Sequence, residues 1–404
     1  MGFSVNLSVT RCLAVPLDGA RISEGLRPFK FLIVKVKIIY LFVSLLFTFT
    51  IKAQLRHSNI ETEHLPKVNV AKDSLKVLHI GNSFTENSTS YLSKMVKAAG
   101  VNTNDMCLYR CIRGGGSFFS FINCWNDKDA KGYSISRVIG GITLPIESSA
   151  TPYDGTNIRK AFTDCKWDLI IIQQLSSYSH KYTLWNNEDK GGCLPELVDL
   201  IRTYQPQAAI GVNLVHASYT VCSNTDSLFH LIADSYHQFC IDYDVDFVIP
   251  YGTAIQNIRH TSINTTQYGF SNDLHHLAIG VGQYVANATY FETLITPRYG
   301  VSVLGNQFRV DITDSQKEKN DYPEELVPVT DENAYLCQKA AILAIHDKFN
   351  INLINDEGEI LGVTCITQKA ENALNVYDLK GRAVNEKTLK SGVYIKNGKK
   401  VVIK

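Results

Sequence analysis

The sequence predicts an α/β fold: a three-layer α/β/α sandwich built on a parallel sheet, followed by a small C-terminal β-module. Short apolar runs alternate along the chain with segments of helical periodicity. The runs are almost continuously apolar, as expected of parallel strands that helices cover on both faces. After about residue 350, short β-like pieces separated by glycine-containing turns replace this alternation.

Four apolar runs are the candidate strands, at residues 76–80, 168–172, 209–215 and 245–249. Helical segments are predicted at residues 157–162, 194–204, 226–241, 277–295 and 332–348. Another helix follows the first run, because Leu92, Met95, Val96 and Ala99 fall on one helical face and Gly100 is a natural stop. In a parallel sheet ligands bind at the carboxyl ends of the strands, so chemistry is expected just after each run.

The N-terminal region has the parts of a secretory signal peptide. An apolar run at residues 38–51 follows Lys35 and Lys37 and precedes Ala53, where cleavage is expected. The run is shorter than the roughly 20 residues of a membrane span, so no stable span is expected after the signal is removed. Residues 1–53 are therefore assigned to an N-terminal extension and signal peptide, and the protein is predicted to be exported.

Charge and cysteine content exclude some classes of partner. Forty basic and 39 acidic residues give a net charge of +1, which indicates neither a nucleic acid nor an anionic membrane surface as a partner. Nine of the ten cysteines follow Ala53. Export permits disulfides, but the pairing stays open, and no spacing suggests a metal site. No metal or organic cofactor is predicted.

A candidate nucleophile follows the first strand directly. The segment Gly-Asn-Ser-Phe-Thr at 81–85 places Ser83 at the carboxyl end of that strand and before a helix. Gly81 permits a tight turn, and backbone N–H groups there can stabilise an oxyanion. The alternative is an ordinary turn in which asparagine and serine cap the helix.

A candidate base lies before the last helix of the domain, in the segment Asp-Leu-His-His-Leu at 273–277. A spacing of three brings Asp273 and His276 to one side of a helical turn, so the carboxylate can orient the imidazole toward a serine. His275 is the rival base, but its spacing points it away from Asp273. The alternative is a capped loop with two solvated histidines.

Together these two segments resemble the SGNH/GDSL hydrolase superfamily, in a branch where Gly-Asn-Ser replaces Gly-Asp-Ser. The resemblance spans about residues 76–295 and includes Gly280, Gly282 and Tyr284 after the histidine segment. It implies a hydrolase domain at residues 54–350 in which Ser83, His276 and Asp273 form a catalytic triad.

The resemblance also implies two further oxyanion donors, a glycine and an asparagine. Gly115, within the glycine segment 113–117, is assigned to the first. The asparagine is missing at the second, where Gln173 and Gln174 follow the strand at 168–172. A glutamine amide can donate the same hydrogen bond from a longer arm, so these two residues are the expected substitutes.

The C-terminal module at residues 351–404 resembles the sorting tails of the type IX secretion system. The segments that carry this resemblance lie at 375–382 and 389–396, with Lys-Lys-Val-Val-Ile-Lys at the end. It implies contact with that machinery and a periplasmic, cell-surface or extracellular location in a Gram-negative bacterium. The alternative is a small structural β-domain.

The function predicted from these segments is that of an exported serine esterase. Its expected substrates are small-molecule or glycan esters, and the preference for acetyl or similar acyl groups on carbohydrate comes from the family resemblance. The alternative is a non-catalytic carbohydrate-binding protein on the same fold, since a fold does not fix a function.

Overall fold

The structure is a computed structural model that describes residues 75–102, 106–127, 133–139, 142–145, 156–163, 165–187, 191–243 and 245–364. It also describes four strands at 376–378, 383–384, 392–396 and 399–403. The predicted extension and signal peptide at residues 1–53 lie outside the described residues. None of the helices in the described part of the chain has the length and apolar character needed to cross a bilayer.

A central sheet organises the main domain and confirms the predicted fold class. Its strands, in chain order, are β1 (Leu75–Gly81), β2 (Met106–Ile112), β3 (Ser134–Ile139), β4 (Ile142–Pro145), β5 (Leu169–Ile172), β6 (Ala209–Asn213) and β7 (Phe247–Ile249). In space they follow the order β4-β3-β2-β1-β5-β6-β7. Strands β2, β1, β5, β6 and β7 are parallel, and β3 and β4 extend one edge as an antiparallel hairpin.

Helices connect and cover these strands. They are α1 (Ser83–Thr89), α2 (Leu92–Ala98), α3 (Phe118–Asn126), α4 (Thr156–Thr163), α5 (Ser176–Ser179), α6 (Leu194–Tyr204), α7 (Thr225–Asp242), α8 (Tyr251–Arg259), α9 (Val281–Leu294), α10 (Thr296–Tyr299), α11 (Asp314–Glu318) and α12 (Asp331–His346). Two short 3₁₀ helices lie at Tyr182–Leu184 and Pro323–Glu325. The helix predicted from Leu92 to the stop at Gly100 is α2, and Gly100, with φ of 75°, follows its end. Helix α1 precedes it as a separate element.

Strand β2 and helix α8 were not predicted from the sequence, for different physical reasons. In β2, Arg110 interrupts the apolar pattern, and its guanidinium donates to the Thr89 carbonyl oxygen at 2.9 Å. Helix α8 is buried along its whole length. Its polar residues Gln256 and Asn257 are buried with the apolar ones, and Pro250 before it provides no side-chain cap, so the sequence carries no clear start signal for this helix.

The C-terminal region contains two separate small sheets. Strands β8 (Ile351–Ile354) and β9 (Ile360–Thr364) form a hairpin, and β8 packs against α8 and α12. Strands β10 (Val376–Asp378), β11 (Ala383–Val384), β12 (Gly392–Lys396) and β13 (Lys399–Ile403) form an antiparallel sheet of their own. The predicted small β-module is therefore present as a fold element, whereas its boundary at residue 351 and its sorting role stay predictions.

A buried histidine in β1 makes the stability of the fold sensitive to acid. His79 is fully buried, and burial lowers its pKa to about 3 despite a hydrogen bond to the Tyr109 carbonyl oxygen. The unfolded chain binds this proton near pH 6.5 and the folded chain does not. As pH falls from 6.5 toward 3, His79 therefore reduces the free energy of unfolding by about 1.4 kcal/mol per pH unit.

We accordingly expect His79→Gln to lose stability less steeply than wild type between pH 6.5 and 4, whatever its stability at pH 7. Urea unfolding across this pH range measures the difference. The matched control is His346→Gln, at an exposed histidine of α12. Parallel pH curves for wild type and His79→Gln would contradict the assignment.

Candidate active site

The turn between β1 and α1 presents Ser83 at the carboxyl end of the central strand. Asn82 caps the helix, because its side-chain oxygen accepts the Phe84 N–H at 3.0 Å. Ser83 is the first residue of α1, so its own N–H has no acceptor within the helix. Gly81 is required sterically, since a Cβ there would lie 2.2 Å from the Thr85 hydroxyl oxygen.

Ser83, His276 and Asp273 form a continuous chain of hydrogen bonds. The Ser83 Oγ lies 2.7 Å from His276 Nε2. On the other side of the ring, His276 Nδ1 lies 2.6 Å from the Asp273 Oδ2. With the proton on Nδ1, the imidazole donates to the carboxylate and its Nε2 is free to accept the serine proton. Three residues separated by up to 193 positions in sequence thus meet in one site.

Asp273 is ionised and fixed by more than one hydrogen bond. Its Oδ1 accepts the backbone N–H of His275 at 3.0 Å and that of His276 at 2.6 Å. Partial burial raises the pKa of Asp273, but the hydrogen bonds from the His276 side chain, the His276 backbone and the His275 backbone outweigh it. The pKa is therefore held well below its usual range. A fixed negative charge at this position can stabilise an imidazolium.

The segment 273–276 differs locally from the helical turn that the sequence predicts. It lies in a loop of turns and bends before α9, which begins only at Val281. Leu274 adopts the left-handed conformation, with φ of 66°. Asp273 and His276 nevertheless meet, because the aspartate caps the turn through its other oxygen while Oδ2 accepts from the imidazole.

Gln173 and Gln174, the two predicted oxyanion donors, bind neighbouring residues through their side-chain amides. Both side chains are buried. Gln173 Nε2 donates to the Asn82 side-chain oxygen at 2.6 Å, and Gln174 Nε2 donates to the Gly191 carbonyl oxygen at 2.6 Å. These contacts hold neighbouring residues in place, and the role of the two amides as oxyanion donors stays a prediction.

Gln173 connects the nucleophile turn to the sheet. Its Oε1 accepts from the Thr85 hydroxyl at 2.6 Å and from Asn213 Nδ2 at 2.9 Å, so one amide joins β1, β5 and β6 at their carboxyl ends. Asn82 extends this network by donating to the Gly116 carbonyl oxygen at 3.0 Å. The position of the turn that presents Ser83 thus depends on this buried glutamine.

We expect Gln173→Glu to lower the free energy of unfolding by about 1–3 kcal/mol, because a carboxylate oxygen would face the Asn82 oxygen with no N–H to donate. Urea unfolding measures this change. Gln307→Glu is the matched control, since Gln307 is exposed and also donates to a carbonyl oxygen, that of Gly305. Unchanged stability with reduced turnover would instead favour a direct role of the Gln173 amide on the oxyanion.

Gly115 lies in an exposed turn beside the nucleophile turn. The Gly116 N–H donates to the Arg113 carbonyl oxygen at 2.9 Å, and Gly115 has φ of 64°, which favours glycine. The bond from Asn82 to Gly116 ties this turn to the Ser83 segment. The role of Gly115 as an oxyanion donor stays a prediction.

Hydroxyl groups that the sequence analysis did not identify surround His275. Its Nδ1 lies 2.9 Å from the Ser218 Oγ and 3.0 Å from the Thr220 Oγ1, and its Nε2 lies 3.4 Å from the Ser176 Oγ. Burial and the adjacent His276 lower the pKa of His275, which favours its neutral form. His275 is thus engaged by these hydroxyls, whereas His276 contacts Ser83.

His216 is also part of the packing beneath the site. It is fully buried, stacks on Phe84 with ring centroids 4.3 Å apart, and its Nε2 donates to the His275 carbonyl oxygen at 2.9 Å. Burial and the nearby Arg259 hold its pKa well below the usual range, so the ring is neutral. Among the described residues, no group of three His, Cys, Asp or Glu side chains is arranged to hold a metal ion.

The fold and the hydrogen-bonded Ser–His–Asp chain define an α/β protein whose serine, histidine and aspartate meet at the carboxyl ends of parallel strands. The chain belongs to the DUF4886 family, described as a domain of unknown function, which its residues 76–321 match. A crystal structure of a DUF4886 family protein from Bacteroides uniformis is similar, with 25% identity and a TM-score of 0.55. That similarity covers 69% of this chain and 97% of the other.

Two further solved structures are similar at lower scores. A candidate SGNH hydrolase from Slackia heliotrinireducens shares 13% identity at a TM-score of 0.37, over 55% of this chain and all of the other. An acetyl xylan esterase from the rumen bacterium Butyrivibrio proteoclasticus shares 14% identity at a TM-score of 0.22, over 44% of this chain and 54% of the other. No match is found among curated proteins.

Proposed function

We propose that this protein is a serine esterase in which Ser83 is the nucleophile, His276 the general base and Asp273 the residue that orients it. The observation that carries the proposal is the 2.7 Å contact between the Ser83 Oγ and His276 Nε2, continued at 2.6 Å to Asp273. A nucleophile, a base and an orienting carboxylate in hydrogen-bond series are the requirements for covalent acyl transfer.

The first half-reaction transfers the acyl group to the enzyme. His276 Nε2 takes the Ser83 hydroxyl proton as the Oγ attacks the ester carbonyl carbon. The tetrahedral intermediate then collapses, the bond to the alcohol oxygen breaks, and His276 returns the proton to that oxygen. An acyl-enzyme on Ser83 and a free alcohol result.

The second half-reaction releases the acid. His276 takes a proton from water, whose oxygen attacks the acyl carbon, and then returns the proton to Ser83 as the acyl bond breaks. The negative oxygen of each intermediate is stabilised by the N–H of Ser83, with Gly115 as the proposed second donor. One such donor typically contributes about 3 kcal/mol to the transition state.

The proposed substrates are acetyl or similar acyl esters of carbohydrate, acted on outside the cytoplasm. The resemblance to SGNH/GDSL hydrolases and the predicted signal peptide support this choice. The resemblance of residues 351–404 to a sorting tail supports passage through the type IX machinery of a Gram-negative bacterium. Protease accessibility of the protein on intact cells tests this location.

The test of the esterase activity is hydrolysis of an aryl acetate by the purified protein, combined with labelling by a fluorophosphonate. We expect turnover of the acetate and a covalent adduct that blocks it. The rival is a non-catalytic carbohydrate-binding protein, which the replacement of the family's asparagine by Gln173 and Gln174 favours. The rival would be established if the protein bound an acetylated oligosaccharide but showed neither turnover nor an adduct.

A further inference from the structure

The loop that carries Asp273 and His276 contains residues in unfavourable backbone conformations. Phe270 and Leu274 have φ of 65° and 66°, in the left-handed region that side-chain-bearing residues rarely adopt. A residue in this conformation is strained and persists only when its surroundings hold it there. The neighbours of this loop should therefore include groups that fix its backbone.

The loop is closed by hydrogen bonds that connect Phe270 to His276. The Ala278 N–H donates to the Phe270 carbonyl oxygen at 2.7 Å, and Ser271 pairs with Leu277 in an antiparallel bridge. The Asn272 N–H then donates to the His276 carbonyl oxygen at 3.0 Å. A displacement of Phe270 is therefore transmitted through a short hairpin to the residue that contacts Ser83.

Glu325 fixes the backbone at the base of this hairpin. Its side chain is fully buried, and it accepts the Tyr268 N–H on Oε1 at 2.6 Å and the Phe270 N–H on Oε2 at 2.8 Å. The two carboxylate oxygens thus hold the strained Phe270 and Tyr268, two residues before it. Glu325 ends the 3₁₀ helix Pro323–Glu325 and lies beyond residues 76–321, which the family model matches.

Arg259 binds carbonyl groups of the same region, whereas Glu325 binds its N–H groups. Its buried guanidinium donates to the Gly269 carbonyl oxygen at 3.0 Å and to the Ala217 carbonyl oxygen at 3.0 Å. The N–H groups of residues 268 and 270 therefore donate to the buried Glu325 carboxylate. The carbonyl oxygen between them accepts from the buried Arg259 guanidinium. The two charges also attract each other across the segment.

We propose that Glu325, together with Arg259, is a positioning residue for the proposed catalytic pair. We call these two residues the Arg259–Glu325 bracket. The bracket holds Phe270 in its left-handed conformation and thereby sets the distance from His276 to Ser83. This inference rests on the proposed esterase function. Neither side chain touches the reacting atoms, so the bracket acts through the loop that carries the base.

The experiment compares wild type with Glu325→Gln in the full-length protein. Glutamine keeps the shape and one acceptor oxygen but turns an amide N–H₂ toward one of the two backbone N–H groups. We expect kcat for an aryl acetate to fall about 10- to 100-fold with KM unchanged, since small displacements of reacting groups cost rate by such factors. The downfield proton resonance of His276 Nδ1–H should also shift or broaden. That resonance is assigned by its loss in Asp273→Asn.

Two further variants separate positioning from general stability. Glu292→Gln is the matched control, because Glu292 also accepts a backbone N–H, that of Val303 at 2.9 Å, in a different loop. It should leave kcat and the resonance unchanged. Glu325→Asp retains two acceptor oxygens and should therefore have more activity than Glu325→Gln. If Glu325→Gln does not fold, Glu325→Asp replaces it as the test.

The inference would be overturned if Glu325→Gln kept the wild-type kcat and an unchanged resonance. If Glu325→Gln does not fold, the same result in Glu325→Asp would overturn it. Equal losses in Glu292→Gln would do the same. Failure of the esterase proposal gives a different result, in which wild type itself neither hydrolyses the ester nor forms the phosphonate adduct. The resonance still reports in that case whether the bracket fixes the contact between His276 and Asp273.

Discussion

Ser83→Ala is expected to lower kcat for an aryl acetate by roughly a million-fold, to the background of the assay. The methyl group leaves His276 with no hydroxyl to activate, so no acyl-enzyme can form. Substrate binding should persist, because the change removes one oxygen from a half-buried side chain. Steady-state hydrolysis measures the first effect, and binding of an uncleaved ester analogue measures the second.

Ser90→Ala is the control for this change. Ser90 directly follows the same helix and donates to the Gln283 side-chain oxygen at 3.0 Å, outside the chain of bonds to His276. It should hydrolyse the ester at the wild-type rate. Residual turnover by Ser83→Ala at more than about one-hundredth of wild type would show that another group is the nucleophile.

Asp273→Asn is expected to lower kcat by about 10,000-fold with the fold intact. An asparagine amide can donate to His276 Nδ1, which would place the ring proton on Nε2 and leave no acceptor for the Ser83 proton. The low pKa of Asp273 means that wild type keeps this carboxylate ionised throughout the neutral range. Because asparagine has no group that ionises in this range, raising the pH should not restore the variant, which a pH–rate profile measures.

The chain offers a matched aspartate–histidine pair as the control for Asp273→Asn. Asp226 accepts from His260 Nε2 at 3.0 Å, with both side chains partly exposed. Asp226→Asn should leave kcat within about two-fold of wild type. If both variants lost activity equally, a general effect of aspartate loss on the fold would explain the result better than orientation of His276.

Much of the fold could be predicted because its signals are local. Helix α6 begins and ends where the sequence places it, the predicted runs contain β5, β6 and β7, and β1 extends one residue beyond its run at each end. Strand β2 was not predicted because Arg110 interrupts its apolar pattern. The guanidinium of Arg110 meets its acceptor, the Thr89 carbonyl oxygen, only in the folded protein. Helix α8 was not predicted because it lacks a side-chain cap at its start and buries its polar residues together with its apolar ones.

The site could be predicted only in part, because some of its contacts join residues that are close in sequence and others join residues that are far apart. The spacing of Asp273 and His276 is local, and the position of Ser83 after β1 follows from the strand pattern. The environment of Gln173 is set by Asn82 and Thr85, which follow β1, and by Asn213 at the end of β6, and these residues meet only in the folded sheet. Glu325 likewise lies about fifty residues from the loop that it fixes.

The most direct test of the central hypothesis is to map the fluorophosphonate adduct by peptide mass spectrometry. The site predicts a single phosphonylated residue, Ser83, and loss of the adduct in Ser83→Ala but not in Ser90→Ala. His276→Ala should slow labelling strongly, because the hydroxyl then lacks its base. An adduct on any other residue, or none in a protein that hydrolyses the ester, would contradict the assignment of Ser83 as the nucleophile.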